Sequence, residues 1–264
     1  MSRLGVCSWS LQPTSPADLV EKVRACGLAH VQLALDPVRG GPWDERETVQ
    51  RLADAGLSIA SGMMSTHGED YSTLETIRET GGLRPDAHWQ RNLEAARADA
   101  ALAARLGLRL VTFHAGFLPE EAGDPERDRL LDRLRQVCDV YRAEGVDLGF
   151  ETGQETAGTL LEVLRDLDHP GAGVNFDPAN MILYGMGEPV EALRLLRDQV
   201  RQVHVKDAVP TRVPGTWGEE VAAGTGAVDW PAFLAIVGEL GVDPVSYTHL
   251  RAHETVLVIS YAVF

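Results

Sequence analysis

Cysteine, basic residues and long apolar runs are all scarce in this chain, and each shortage removes a class of protein. Cys7, Cys26 and Cys138 are widely spaced and form no Cys-x-x-Cys pair. They build neither a disulfide framework nor a thiolate zinc knuckle. Cys26 and Cys138 fall in helical patterns and read as packing residues, while Cys7, on the first apolar run, is a candidate for lining a barrel mouth. Lysine and arginine number 24 against 39 acidic residues, a formal net charge of -15. That field repels phosphodiester backbones and argues against a nucleic-acid partner. No apolar run is long enough to span a bilayer, and Met1 to Gly5 lacks the basic and apolar succession of an export signal. The expectation is a cytoplasmic protein with a small-molecule substrate, no membrane partner and room for homo-oligomers.

What the chain does have is 44% hydrophobic residues over 264 positions, enough for one large core. Apolar strand-like runs alternate with amphipathic helical patterns, which is the signature of parallel βα units. Strands are expected at Leu4 to Trp9, His30 to Leu35, Leu57 to Met63, Leu108 to His114, Val146 to Glu151, Ala172 to Asp177 and Val200 to Lys206. Helices are expected between them, the first opened by the Ser15-Pro16 cap. An eighth strand is expected beyond Asp243. The fold class is therefore α/β, a (β/α)8 TIM barrel. Two polar stretches, Thr66 to Leu83 and Ala208 to Ala227, read as long loops, and the second, leaving the seventh strand, is favoured as a pocket wall.

Three of these strands end in a carboxylate or an imidazole, at Glu151, Asp177 and His204. Each has an ordinary reading alone: a solvated loop acid, a helix-capping Asp before Pro178, and a satisfied core histidine. Successive strands of a parallel barrel open on one face, so together the three can meet at a point. Two carboxylates and one imidazole suit a single divalent ion, Mn²⁺, Mg²⁺, Co²⁺ or Zn²⁺. His114, closing the fourth strand, is a candidate for a substrate hydroxyl or the metal shell, with a carbonyl-bonded core histidine as the alternative. Lys206 either pairs with an acid such as Asp207 or Glu151, or steadies developing negative charge on an enolate oxygen. Trp9, Trp217 and Phe117 serve either as an apolar wall for a sugar ring or as core. Gly224-Thr225-Gly226 lacks the strand and helix context of a phosphate loop.

These motifs, Phe150-Glu151-Thr152, Asn175-Phe176-Asp177-Pro178-Ala179-Asn180, His204-Val205-Lys206-Asp207 and Gly224 to Trp230, resemble the sugar phosphate isomerase/epimerase family of xylose isomerase-like TIM barrels. The resemblance covers Leu4 to Asp243. It implies a metal-dependent isomerase or epimerase of a small sugar or keto-sugar, working by proton transfer through an enediolate. Glu151, Asp177 and His204 match three of the four family metal ligands, and Glu151 would also be the acid/base. His114, Lys206, Asn180, Glu155 and Trp9 are the candidate substrate-binding residues. Two alternatives stay open: a dehydratase of a keto-polyol, with His114 or Glu155 as proton donor, and a non-catalytic sugar-binding barrel. The three-zinc endonuclease branch is disfavoured, because Asn180 stands three residues after Asp177 and the loop from Trp217 to Gly226 has Glu219 and Glu220 but no histidine.

The fourth ligand of that family, and by the same resemblance the acid/base partner of Glu151, is a glutamate ending strand eight; that partner is absent from this chain, and the chain as written is expected to be poorly soluble or inactive. Here residues 245–264 instead resemble the translation of a transposon-end sequencing adapter, in one frame across both adapter segments; a genuine strand over Thr255 to Val263 is the alternative. Residues 1–243 are accordingly read as the barrel and 244–264 as adapter-derived, with the eighth strand missing or replaced. His249, His253 and Glu254 are left out of the site for that reason. Resequencing the source locus is expected to replace the codons after Asp243 with a strand-forming run that ends in glutamate. An unchanged reading would make the terminal segment native.

Overall fold

The computed structural model describes residues 4–240 and 261–263, and β-strands and α-helices alternate along it. The strands β1 (Leu4–Cys7), β2 (His30–Ala34), β3 (Ser58–Met63), β4 (Leu110–Phe113), β5 (Asp147–Glu151), β6 (Ala172–Phe176) and β7 (Val200–Val205) pair in sequence order, all parallel. The helices between them include α1 (Pro16–Ala25), α3 (Glu45–Asp54), α5 (Asp86–Arg105), α6 (Pro125–Ala143), α7 (Ala157–Leu167) and α9 (Pro189–Leu196); α10 (Trp230–Glu239) follows. Ser15 caps α1 by accepting from the Asp18 N–H, with Pro16 in the first turn, as its sequence demands.

Alternation within the strands sorts the core. Val31, Leu33, Val111, Phe113, Leu148, Phe150, Val174, Phe176 and Val203 are fully buried in the apolar layers between sheet and helices. At the intervening positions stand Gln32, Ser61, Thr112, Asn175, Gln202 and His204, equally buried. Strand period therefore turns one side chain in two toward the barrel axis, and here that axis is polar.

Two expectations are corrected. The first strand stops at Cys7 because Ser8–Leu11 forms a 3-10 turn. The polar stretch after β3 is not a plain loop: it carries α4 (Leu74–Thr80), nucleated by a capping box between Thr73 and Thr76. Two short helices, α2 (Asp36–Arg39) and α8 (Pro178–Leu183), follow β2 and β6 directly.

The seventh strand and the first are bridged by β10 (Tyr261–Val263), which runs antiparallel to both. A native eighth strand of a (β/α)8 barrel would follow its helix in the parallel sense. The closing strand thus differs in direction from the eighth strand of such a barrel, and it covers the edges that a missing strand would leave open. The expected strand start beyond Asp243, and the candidates His249, His253 and Glu254, lie outside the described residues.

The loop after β7 is also more ordered than its Gly and Pro content suggests. It forms a hairpin, β8 (Asp207–Val209) with β9 (Glu219–Val221). Asp207 is its anchor, and does not pair with Lys206. Its Oδ1 accepts the N–H groups of Ala208 and Val228, and its Oδ2 those of Gly224, Gly226 and the Trp230 indole, at 2.9–3.2 Å. A Cβ at Gly226 would fall onto the Asp207 carboxylate, so glycine is needed for that approach. Asp207→Ala is expected to cost roughly 2–4 kcal/mol in urea unfolding, since several donors lose a charged acceptor at once. Limited proteolysis should then cut within residues 208–226; an unchanged midpoint and digestion pattern would show the hairpin to be held by other contacts.

Candidate metal centre at the barrel mouth

Glu151 ends β5, Asp177 follows β6 and His204 lies one residue before the end of β7, so all three face the same rim. One ligand atom from each lies within 4.8 Å of the others, and the side chains are 5%, 1% and 1% exposed. His204 Nδ1 lies 3.4 Å from Glu151 Oε1 and 3.5 Å from Asp177 Oδ2.

Local structure sets each position. Asp177 caps α8, its Oδ1 accepting from the Asn180 N–H at 2.9 Å, and its own N–H donates to Thr152 Oγ1 at 2.8 Å. Glu151 accepts from Asn175 Nδ2 and Asn180 Nδ2, both at 3.1 Å. Gly153, at φ +131°, lets the chain after Glu151 pass directly against Asn180, where a Cβ would collide.

Burial of Glu151 would raise its pKa, yet His114, His204 and Lys206 hold it well below the carboxylate range. For His204 burial acts downward, but the facing Glu151 carboxylate, with Cys7 and the contact to Asp177, carries its pKa well above that of an ordinary imidazole. Asp177 Oδ2 is buried and accepts no hydrogen bond, with Lys206 Nζ 3.7 Å away. Two carboxylates turned onto one imidazole nitrogen, one carboxylate oxygen being unpartnered, is a donor set that fits a divalent cation.

Above the triad is a cavity of about 250 Å³, lined by Trp9, Met63, Tyr71, His114, Asn180, Tyr184, Lys206, Trp217 and Glu220, among others. Lys206 donates to Asn180 Oδ1 at 2.9 Å and pairs with Glu220 on β9, so the hairpin is latched to the rim. His114 Nε2 lies 3.8 Å from Glu151 Oε1, and its buried Nδ1 has no hydrogen-bond partner. The mouth thus gathers His114, Lys206, Asn180, Trp9 and Trp217 around the triad. Cys7 lies beneath the mouth, fully buried, its Sγ 3.8 Å from His204 Nε2.

Glu155 and Phe117 stand apart. They line a neighbouring cavity of about 430 Å³ with Arg78, Arg84 and Gln154. The Tyr184 ring packs edge-on against both Phe117 and Trp217, which lie in different cavities, and so separates the two. Sequence reasoning passed over Gln32, Thr112, Asn175 and Gln202, which support the triad from below, and Tyr71 and Tyr184 in the wall. The signal for the first group was a polar residue between apolar neighbours in strand, as in Val31-Gln32-Leu33 and Val174-Asn175-Phe176.

A model of the xylose isomerase-like TIM barrel family matches residues 20–252. The chain belongs to this family. Among solved structures, a xylose isomerase domain protein from Planctomyces limnophilus is 32% identical, with 84% of this chain and 80% of that one covered at a TM-score of 0.78. An L-ribulose 3-epimerase shares the fold at 22% identity and a TM-score of 0.66, covering 92% and 79% of the two chains. A 3-dehydroshikimate dehydratase from Bacillus anthracis is 27% identical over 86 residues, 31% of this chain and 30% of the relative. The chain spans only 30–38% of the length of the curated relatives it matches. Proteins named as an epimerase and as a dehydratase are thus both similar to parts or to the fold of this chain. Among the described residues no helix is long and apolar enough to cross a membrane.

Burial pushes the Glu155 carboxyl up to about 8. In the unfolded chain a glutamate titrates near ~4.3. Between these values the folded chain holds a proton that the unfolded chain has released, so stability falls as pH rises through the window. Glu155→Gln should flatten that dependence and raise the urea midpoint at the alkaline end. Identical pH slopes for parent and variant would mean that the carboxyl is solvated.

Proposed function

We propose that this barrel is a metal-dependent isomerase or epimerase of a small sugar or keto-sugar. The observation that carries the reading is the buried Glu151, Asp177 and His204 cluster, with its unpartnered Asp177 oxygen, at the floor of a cavity of about 250 Å³ walled by aromatic rings. Glu151, Asp177 and His204 would hold one Mn²⁺, Mg²⁺, Co²⁺ or Zn²⁺ ion. When bound, the ion polarises a ketone and its neighbouring hydroxyl, which acidifies the carbon between them.

The chain's own groups supply the rest. A Glu151 carboxylate oxygen would accept the proton from that carbon as the electron pair moves into an enediolate; for isomerisation the hydroxyl proton passes to the former ketone oxygen and Glu151 returns its own proton to the former carbonyl carbon. Epimerisation requires return on the opposite face, from a second acid. The resemblance assigns that acid to a glutamate after an eighth strand, and residues 241–260 lie outside the described residues. Asn175 and Asn180 keep Glu151 oriented through their amide donors. Lys206 Nζ offers a positive charge to the developing oxyanion. Trp9, Tyr71, Tyr184 and Trp217 give apolar faces to a sugar ring and exclude water from the floor.

Dehydration of a keto-polyol is the second reading. It is favoured by His114, whose ring sits beside Glu151 and can donate a proton to a leaving hydroxyl.

The test combines metal titration with solvent deuterium exchange into a panel of keto-sugars. The parent is expected to bind Mn²⁺ or Co²⁺, and the chain continued with a strand eight that ends in glutamate, not the chain as it stands, is expected to label the carbon next to the ketone. Asp177→Ala should lose most of the metal affinity, and Glu151→Gln in the continued chain should lower exchange by at least about 100-fold. Loss of water from substrate in place of labelling would favour the dehydratase. Equal metal binding by Asp177→Ala and the parent would reduce Asp177 to a helix cap and sink the reading.

A further inference from the structure

The side chains below the triad form a continuous chain of hydrogen bonds that ends on a backbone carbonyl. Gln32 Nε2 lies 2.8 Å from Thr112 Oγ1 and 3.4 Å from the Gly62 carbonyl oxygen. A carbonyl oxygen only accepts, so the amide nitrogen must face it, and Gln32 Oε1 must face the other way. There it accepts from Cys7 Sγ at 3.3 Å and lies 2.9 Å from His204 Nε2. Gln32, Thr112 and His204 are buried to 1% exposure or less, so no bulk water competes for these positions.

An amide oxygen at 2.9 Å requires a proton on His204 Nε2. The other neutral tautomer would need a donor at that nitrogen, and two amides stand near it, Asn175 Nδ2 at 3.3 Å and Gln202 Nε2 at 3.4 Å. Each already gives one of its two N–H groups at shorter range, and both stand farther from Nε2 than Gln32 Oε1 does. Asn175 Nδ2 donates to Glu151 Oε2 at 3.1 Å, and Gln202 Nε2 donates to Asn175 Oδ1 at 3.1 Å. Flipping Gln32 would set its oxygen against the Gly62 carbonyl and leave the Cys7 thiol only the more distant His204 Nε2, at 3.8 Å, as an acceptor.

We propose that Gln32 is a positioning residue of the metal centre: anchored by Gly62 and Thr112, it holds the His204 proton on Nε2 and so turns the Nδ1 lone pair toward Glu151 and Asp177. The proposal rests on the metal reading above only for the use to which Nδ1 is put; the proton's location is a property of the protein alone. Groups that orient a ligating histidine through its second nitrogen typically change metal affinity about 10–100-fold when removed.

Two measurements test it. In ¹⁵N-labelled, metal-free protein brought to a pH at which the ring holds a single proton, long-range ¹H–¹⁵N correlation should find that proton, slowly exchanging, on His204 Nε2. Titration with Mn²⁺ should then show affinity reduced about 10–100-fold in Gln32→Leu. Gln32→Glu, which keeps an acceptor for Nε2–H and can accept from Thr112, should bind Mn²⁺ much closer to the parent than Gln32→Leu does. Thr112→Val leaves Gln32 in place and removes one anchor, so a partial loss is expected and keeps the test open if Gln32→Leu fails to fold. A His204 Nε2 without a proton, or equal Mn²⁺ affinity in the parent and Gln32→Leu, would overturn the proposal. A protected Nε2 proton in a parent that binds no divalent ion would uphold the proton assignment and overturn the metal reading instead.

Discussion

Two carboxyl groups buried against one imidazole are the constraint around which this molecule is organised. Removing carboxylate charges from water is costly, and they persist only where opposite charge and hydrogen bonds replace the lost hydration. Glu151 meets that demand with two asparagine amides and the nearby His114, His204 and Lys206. Asp177 spends one oxygen on the α8 N-terminus and keeps the other turned to the cluster. The arrangement is strongly polarised toward positive charge at one point, which is why a cation fits it better than a fourth polar side chain.

The scaffold serves that point through strand alternation. Outward-facing apolar residues weld the sheet to the helices, so the inward positions are released from carrying stability by packing. They hold glutamine, threonine, asparagine and histidine, and these need partners in exact positions, because each unsatisfied buried polar atom costs free energy. A barrel is suited to this, since parallel pairing sets the relative heights of Gln32, Asn175 and Gln202, and His204 stands one strand period beyond Gln202. The hairpin after β7 extends the same logic outward: Asp207 organises the backbone, and Lys206, its neighbour in sequence, ties Glu220 to the mouth.

Family and fold leave the reaction open, because proteins that share this fold carry epimerase and dehydratase names. The chemistry that separates them is local. Both reactions begin with loss of a proton beside a ketone, and they part at whether a proton donor reaches the enediolate carbon or the leaving hydroxyl. Glu151, the last residue of β5, and His114, the residue after β4, are the groups between which that choice would be made.

Composition, βα alternation and strand-end residues determined the barrel, its direction and the identity of the three clustered side chains, since a strand's last residue must project from the open end of a parallel barrel. The boundaries at β1 and in the stretch holding α4 were not legible, because a 3-10 turn and a seven-residue helix are decided by capping and packing rather than by long-range periodicity. Glu155 and Glu151 look equivalent as strand-end loop acids, yet the turn at Gly153 and the Tyr184 ring put them in different cavities. The polar floor was visible only as interruptions in apolar strands. Its meaning came from tertiary structure alone, because which amide faces which carbonyl depends on neighbours as many as 172 residues apart in the chain.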